Sequence, residues 1–139
     1  MDRQSLCYPA VLDVLAMHQE IMARYGQPSE MRSDGEALLE SAMKRPHTAA
    51  HYEGADLSKQ AALLMLGIAQ AHPFVDGNKR VAFAAGIVLL QLNGFLVSSR
   101  PREFGQRIVA ALTSNDRAGE ADALAEWIRE RLRPLEEQG

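Results

Sequence analysis

Apolar residues recur at intervals of three and four along most of this chain, and that interval is typical of amphipathic helices. The first such pattern runs from Val11 to Tyr25. A second begins near Ser33-x-x-Glu36, which has the form of a capping box, and we predict that it ends at Pro46. The following segment, from Arg45 to Asp56, lacks the helical interval and predicts a loop.

The middle of the chain carries two further helical patterns. The earlier one begins at Asp56 or Ser58, either of which can cap a helix, and its apolar face ends at His72. The later one runs from about Gly77 to Asn93. It is apolar on all sides from Val81 to Leu90, so we predict that this fourth helix is the buried central helix of the fold.

The last part of the chain predicts one short strand and two helices. The strand is Phe95 to Val97, and Pro101 suits the first turn of a fifth helix. A sixth helix carries an apolar stripe from Ala121 to Leu135. The whole pattern predicts a single all-α domain over residues 1–139, with about six helices around a buried central helix.

Composition and charge narrow the class of protein. The net charge of −3 argues against direct binding of nucleic acid, which normally needs a basic patch. Cys7 is the only cysteine, so no disulfide can form within the chain. Pro9 and Asp13 interrupt the N-terminal apolar residues, and the run from Val81 to Leu90 is shorter than the roughly 20 residues of a membrane span. We therefore expect a cytoplasmic protein with no membrane partner.

The segment between the third and fourth helices concentrates most of the reactive side chains. Asp76 is suited to cap the fourth helix, and Gly77 permits a tight turn before it. Lys79 and Arg80 then stand in the first turn, where the helix terminus is already positive and each added cation costs roughly 0.3–1 kcal/mol. This placement indicates an anion site formed by the two cations and the free backbone N–H groups.

His72 lies next to this predicted anion site. Pro73 disfavours helical geometry for His72, so the preceding helix is predicted to end there. A histidine beside an anion is a candidate general base, and the combination indicates phosphoryl-group chemistry. Two plainer interpretations stay open. Asp76-Gly77-Asn78 can be an ordinary turn followed by a cap, and His72 can be a packed core residue.

The same segment carries a family resemblance. His72-Pro73-Phe74-Val75-Asp76-Gly77-Asn78-Lys79-Arg80 resembles the signature HxFx(D/E)(G/A)N(G/K)R of Fic-domain proteins. Most Fic proteins have glycine at the position of Lys79, and lysine there resembles the death-on-curing (Doc) branch of bacterial toxins. Further Doc-type landmarks stand at matching places: Arg24-Tyr25-Gly26, Leu39-Glu40-Ser41-Ala42 with Arg45-Pro46, and Leu92-Asn93-Gly94. The resemblance implies a Fic/Doc-like bundle with a short flap segment before the third helix.

The resemblance also implies a role for each residue of the motif. His72 would act as general base on a Ser or Thr hydroxyl of a target protein, and Asp76 would hold Mg²⁺. The remaining polar positions would bind the phosphates of ATP: Gly77, Asn78, Lys79 and Arg80. In Doc-like toxins the lysine accompanies a reversed nucleotide and transfer of the γ-phosphate, whereas glycine at that position accompanies transfer of AMP.

The implied function is that of a toxin of a type II toxin–antitoxin system. It would be a protein kinase that uses ATP and Mg²⁺, with elongation factor Tu as the expected target and arrest of translation as the effect. Two alternatives stay open: an AMP or other NMP transferase using the same site, and an inactive Fic-like binding module. Phe83 stands where many Fic proteins have a second arginine, which weakens the case for AMP transfer.

In Fic-like proteins the segment before the third helix forms a flap whose exposed edge pairs with a strand of the target protein. The resemblance implies such a target-docking flap here, made of Pro46, His47, Thr48, Ala49, Ala50, His51 and Tyr52. Self-inhibited Fic proteins carry (S/T)xxxE(G/N), and Thr48 to Gly54 has one residue too many before Glu53 to match it. The resemblance therefore implies a separate antitoxin of the prevent-host-death type.

Overall fold

A computed structural model describes residues 6–138 of the chain. Within these residues the chain forms six α-helices, two short strands and a terminal 3-10 turn at Leu135–Gln138. The helices are α1 (Val11–Arg24), α2 (Gly35–Glu53), α3 (Leu57–Ala71), α4 (Asn78–Leu92), α5 (Pro101–Leu112) and α6 (Arg117–Arg131). The strands are β1 (Phe95–Val97) and β2 (Leu132–Pro134). The prediction of an all-α bundle is confirmed.

Helix α3, and not α4, is the most completely buried helix. Every residue of α3 from Gln60 to Ala69 is buried, because the helix packs against α2, α4 and α6. On α4, by contrast, one face is only partly buried. This face includes Phe83 and Ile87, which lie about one helical turn apart. The prediction that α4 is the buried central helix is therefore wrong. It rested on the apolar composition of α4, but burial depends on which helix the others surround, and that helix is α3. Its C-terminal end is thereby anchored in the core.

Helix α2 continues through Pro46 to Glu53, so the predicted loop from Arg45 to Asp56 is wrong, and so is the predicted helix end at Pro46. Leu39, Ala42, Pro46 and Ala49 are buried at intervals of three and four on one face of this helix. Proline removes one backbone hydrogen bond from a helix interior. Burial of this continuous face against α3 keeps the helix intact on both sides of Pro46.

The helix starts partly follow the predicted caps. Asp56 caps α3 as expected, since its Oδ1 accepts a hydrogen bond of 2.9 Å from the Lys59 backbone N–H. The capping box predicted at Ser33 is wrong, because α2 begins one residue later than that box requires, after Asp34. Its first residue is Gly35, which touches the segment before α4. A Cβ added to Gly35 would lie 2.2 Å from the Pro73 carbonyl oxygen.

The chain after α6 is extended and not helical. Leu132 to Pro134 form β2, which pairs antiparallel with β1 so that Val97 lies opposite Leu132. The sixth helix therefore ends before the predicted apolar stripe does. Pro134 explains part of this difference, because the residue before a proline is disfavoured in helical geometry. In the part of the chain that the structure describes, no helix has the length and apolar character needed to cross a membrane.

Candidate active site

His72 ends α3 in an unusual backbone conformation. It is the only non-glycine residue with a positive φ among residues 6–138, with φ +53° and ψ +57°. Its carbonyl oxygen accepts a hydrogen bond of 3.1 Å from Nη1 of Arg32. The left-handed turn points the chain out of the helix, and the side chain of His72 is exposed. The interpretation of His72 as a packed core histidine is therefore wrong.

Asn78 holds the segment between α3 and α4 in its shape. Its Oδ1 accepts a hydrogen bond of 3.0 Å from the Phe74 N–H, and its Nδ2 donates one of 2.9 Å to the Phe74 carbonyl. Nδ2 also lies 3.5 Å from Nδ1 of His72, the outer limit of a hydrogen bond. The side chain is buried, with 9% of its surface exposed. Its amide therefore positions the loop from inside, and the direct phosphate contact predicted for Asn78 is not what this geometry favours.

The loop from Pro73 to Asp76 is fixed on two further sides. The side chain of Phe74 is buried in the core and so anchors the loop. The backbone around it pairs with the segment before α2 in an isolated antiparallel bridge between Met31 and Phe74. On either side of that bridge, Arg32 N–H donates to the Pro73 carbonyl and Val75 N–H donates to the Glu30 carbonyl, both at 2.9 Å. The shape of the loop is thus held by core packing and backbone pairing as well as by Asn78.

Gly77, and not Asp76, is the N-cap of α4. Gly77 adopts φ +79°, and a Cβ there would lie 2.7 Å from Sδ of Met22, so glycine is required for two reasons. The predicted capping role of Asp76 is wrong because it stands one residue too early. Its Oδ1 instead accepts a hydrogen bond of 2.7 Å from the Gly77 N–H. Apart from this contact, the side chain of Asp76 is exposed to solvent.

A single carboxylate is a limited but suitable donor set for Mg²⁺. Mg²⁺ is commonly held by one or two carboxylates with substrate phosphates and water completing the octahedron. Residues 6–138 contain no cluster of three or more His, Cys, Asp or Glu side chains that would hold a metal without such a substrate. Asp76 therefore fits Mg²⁺ only as part of a metal–nucleotide complex.

Lys79 and Arg80 stand in the first turn of α4 with their side chains exposed. The first intrahelical bond runs from the Val81 N–H to the Gly77 carbonyl, at 3.0 Å, so the three preceding N–H groups have no acceptor within the helix. Neither cation forms a salt bridge within the described part of the chain, and the first turn holds no acidic residue. Two uncompensated cations at a positive helix end favour binding of an anion.

A groove of about 500 Å³ adjoins the two cations. It lies between α4 and α5, and most of its surface is apolar, although three cations also line it. The lining includes Phe83, Ile108, Val109, Lys79, Arg80 and Arg102. Phe83 was predicted only to replace a second arginine, and its place in this groove was not predicted. The signal was present, because Phe83 follows Lys79 by four residues and so shares its face of the helix.

Comparison with known proteins identifies the family of this chain. The family model described as Fic/DOC family matches residues 8–90, which include α1 to α3, the loop and most of α4. The chain belongs to the Fic/DOC family. The family predicted from the motif at His72 to Arg80 is therefore confirmed.

Two individual proteins resemble this Fic/DOC family member. Toxin Doc of Mycolicibacterium smegmatis is 38% identical over 74 residues, which are 50% of this chain and 54% of that protein. The chain thus spans about half the length of this curated relative. The crystal structure of BepC, a VirB-translocated effector protein of Bartonella tribocorum with bound AMPPNP, matches with a TM-score of 0.47 and 17% identity. That match covers 78% of this chain and 58% of BepC.

The residues predicted as a docking flap lie away from this site. Pro46 to Tyr52 belong to α2, whose first residue touches Pro73, and a helix rise of 1.5 Å per residue puts His51 about 24 Å along the axis from there. A helix uses its own backbone hydrogen bonds, so this segment offers no free edge to a strand of a target protein. A docking role would use the outer face of the helix, where Tyr52 is 78% exposed, and it stays a prediction.

Proposed function

We propose that this Fic/DOC family member is a toxin that transfers the γ-phosphate of ATP to a Ser or Thr hydroxyl of a target protein. The observation that carries the proposal is the pair of uncompensated cations, Lys79 and Arg80, at the start of α4 beside the exposed His72. Elongation factor Tu is the proposed target, and arrest of translation is the proposed effect. The similarity to Toxin Doc supports the assignment as a toxin.

In the proposed reaction His72 takes the proton of the target hydroxyl. The hydroxyl oxygen then forms a bond to the γ-phosphorus, the bond from that phosphorus to the bridging oxygen breaks, and ADP leaves. The ring of His72 is suited to this role because it is exposed, and among the hydrogen bonds of residues 6–138 only the 3.5 Å approach of Asn78 to Nδ1 involves it, so that Nε2 is open to accept a proton. General base catalysis of this kind contributes typically about 10²–10⁴-fold in rate.

Lys79, Arg80 and the free N–H groups of α4 would bind the phosphate oxygens, where negative charge is distributed in the transition state. Asp76 is the residue that would hold Mg²⁺, and the metal when bound would neutralise part of the phosphate charge. Internal hydrogen bonds hold both the loop and the start of α4, and groups held in place before the reaction are what transition-state stabilisation by charge requires.

Transfer of AMP is a second candidate function, favoured by the groove between α4 and α5. If the α-phosphate were bound at the start of α4, the apolar groove beside Phe83 and Val109 would be placed to take the base. Lys79 lines that groove, and lysine at this position resembles the Doc branch, which is why we place γ-phosphate transfer first.

One experiment separates the candidates. The purified protein is incubated with elongation factor Tu and with ATP labelled at the γ- or the α-phosphate, with and without Mg²⁺. We expect covalent label on the target from the γ position only, and none once EDTA removes the metal. Label from the α position would show NMP transfer. The absence of label from both positions would favour a binding module without activity.

Control of the activity would come from a separate protein. Residues 48–54 miss the self-inhibitory spacing by one residue, so we propose a cognate antitoxin of the prevent-host-death type that acts in trans in the cytoplasm. Co-purification of the protein with the product of an adjacent gene, and loss of label transfer in that complex, would test this proposal.

A further inference from the structure

His18 is a fully buried histidine of α1 that uses both ring nitrogens. Its Nε2 lies 2.7 Å from the backbone carbonyl oxygen of Asp76, and its Nδ1 lies 2.6 Å from Oγ of Ser29. Its ring stacks on Phe74 with a centroid distance of 3.7 Å and an interplanar angle of 11°. None of its surface is exposed.

The partners of His18 determine where its proton lies. A carbonyl oxygen only accepts, so Nε2 must carry the hydrogen that it donates to Asp76. In the neutral ring Nδ1 is then an acceptor, and the hydroxyl of Ser29 donates to it. Ser29 therefore holds the tautomer that the contact with Asp76 needs.

The bond from His18 holds the one peptide group that joins the carboxylate to the anion site. The carbonyl of Asp76 and the N–H of Gly77 belong to the same peptide, and that N–H donates to the Asp76 carboxylate at 2.7 Å. Gly77 is also the N-cap of α4. The orientation of this peptide therefore sets the direction of the first N–H groups of α4 and the position of the carboxylate.

Core packing alone does not account for a histidine here. A phenylalanine would stack on Phe74 equally well without the cost of burying two polar nitrogens, which is recovered only when both find partners. Here both partners are present, and one of them is the backbone of the candidate active site. The polar atoms of His18 are thus used for placement of the loop.

We propose that His18 is a positioning residue of the candidate active site, holding the Asp76–Gly77 peptide so that α4 presents its N-terminal N–H groups to phosphate. The inference rests on the proposed function in so far as the ligand is a phosphate. It assigns to α1 a role that is separate from the binding residues themselves.

The test compares His18→Phe with His18→Gln in the full chain. Phenylalanine retains the stacking and removes both hydrogen bonds, whereas glutamine can still donate to the Asp76 carbonyl. Amide hydrogen exchange is measured over residues 76–81, where the hydrogen-bonded N–H groups of Gly77 and Val81 report local opening, and over α6 as an internal reference; pyrophosphate affinity is measured by calorimetry. We expect exchange in His18→Phe to rise about tenfold at these two N–H groups and not in α6, with affinity about three- to tenfold weaker, because one or two hydrogen bonds are lost.

His18→Gln should stay within about twofold of the wild type in both measurements. Unchanged exchange at residues 76–81 in His18→Phe, or exchange that rises equally in α6, would overturn the proposal and leave His18 as a packing residue. If the wild type binds no pyrophosphate, the proposed function fails while the exchange measurement still decides the role of His18.

A second variant covers the case in which His18→Phe does not fold. Ser29 is exposed, so Ser29→Ala should fold, and it removes the donor that fixes the tautomer of His18. Exchange that rises at residues 76–81 and not in α6 supports the proposal. Exchange equal to that of the wild type overturns it.

Discussion

The guanidinium carbon of Arg80 lies 4.4 Å from the centre of the Tyr25 ring. Tyr25 stands at the C-terminal end of α1, and Arg80 stands in the first turn of α4, so a cation–π contact joins two helices at the anion site. The described part of the chain gives Arg80 no salt bridge that would hold it otherwise. The ring of Tyr25 therefore restricts the cation without neutralising it.

We expect Tyr25→Leu to weaken ATP binding by about two- to fivefold, because an exposed cation–π contact contributes roughly 0.5–1 kcal/mol. Tyr25→Phe retains the ring and should bind as the wild type does. Tyr52→Leu is a matched control, since Tyr52 is also an exposed tyrosine but lies on α2 away from the site. Calorimetric titration of the three variants with ATP measures the effect. Equal affinity of Tyr25→Leu and the wild type would show that the ring does not hold Arg80.

His72 combines an exposed side chain with a left-handed backbone, which costs a non-glycine residue roughly 1–2 kcal/mol. Glycine adopts this conformation without strain. We therefore expect His72→Gly to be at least as stable as the wild type, by up to about 1 kcal/mol in the free energy of unfolding, and to lose all transfer activity.

His72→Ala is the comparison variant: it should lose activity equally and be less stable than His72→Gly. Urea denaturation and the labelled-ATP assay measure the two properties separately. If either variant kept wild-type transfer rates, His72 would not be the general base.

Lys79 is the residue on which the choice between γ-phosphate and AMP transfer depends. Its side chain is exposed and lines the groove beside Phe83, so Lys79→Gly should fold, at a cost of up to about 1 kcal/mol in helix propensity. We expect loss of γ-phosphate transfer and a gain of weak AMP transfer as the groove opens.

Lys79→Ala controls for the lost charge, since it opens less of the groove; it should lose γ-phosphate transfer and gain less AMP transfer. Labelled ATP of both kinds reports the result. Undiminished γ-phosphate transfer by folded Lys79→Gly would remove the main support for a kinase.

Asp56 links the start of α3 to α6 and makes stability depend on pH. Its two oxygens accept hydrogen bonds of 2.8 and 3.0 Å from Arg129, and this pairing, reinforced by the Lys59 backbone N–H, lowers the pKa of Asp56 although partial burial opposes it. A carboxylate with a lowered pKa in the folded state contributes stability above its unfolded pKa, and the contribution is lost as pH falls through the folded pKa.

We expect Asp56→Asn to lower the free energy of unfolding at pH 7 by about 0.5–1 kcal/mol, a value appropriate to a half-exposed ion pair. Asparagine caps a helix as well as aspartate does, so the cap itself is retained. The difference from the wild type should shrink as pH falls through the lowered pKa of Asp56 and vanish once the carboxylate is protonated in both states. Urea denaturation over a series of pH values from 7 downward measures it. A difference that stayed constant over the whole series would mean that loss of shape, and not of charge, is responsible.

Local patterns in the sequence were sufficient for the helices and for the motif. Apolar residues at helical intervals predicted the elements, because a helix that packs on a core must bury one face. Lys79 and Arg80 indicated the anion site, because two cations in a first turn are unfavourable without an anion. Leu39, Ala42, Pro46 and Ala49 had the helical interval as well. The general rule that proline ends a helix nevertheless led to the wrong prediction that α2 ends at Pro46.

What the sequence by itself determined was therefore the class of fold, the family and the segment in which the candidate site lies. Only the tertiary structure decided that α3 is the central helix, that the amide of Asn78 is used inside the loop, and that His18 and Tyr25 of α1 contact the candidate site far along the chain. The physical reason is the distance along the chain over which each interaction acts. Helical periodicity and charge at a helix end act within a few residues, whereas the bond from His18 to Asp76 joins positions 58 residues apart and exists only once α1 packs against α4.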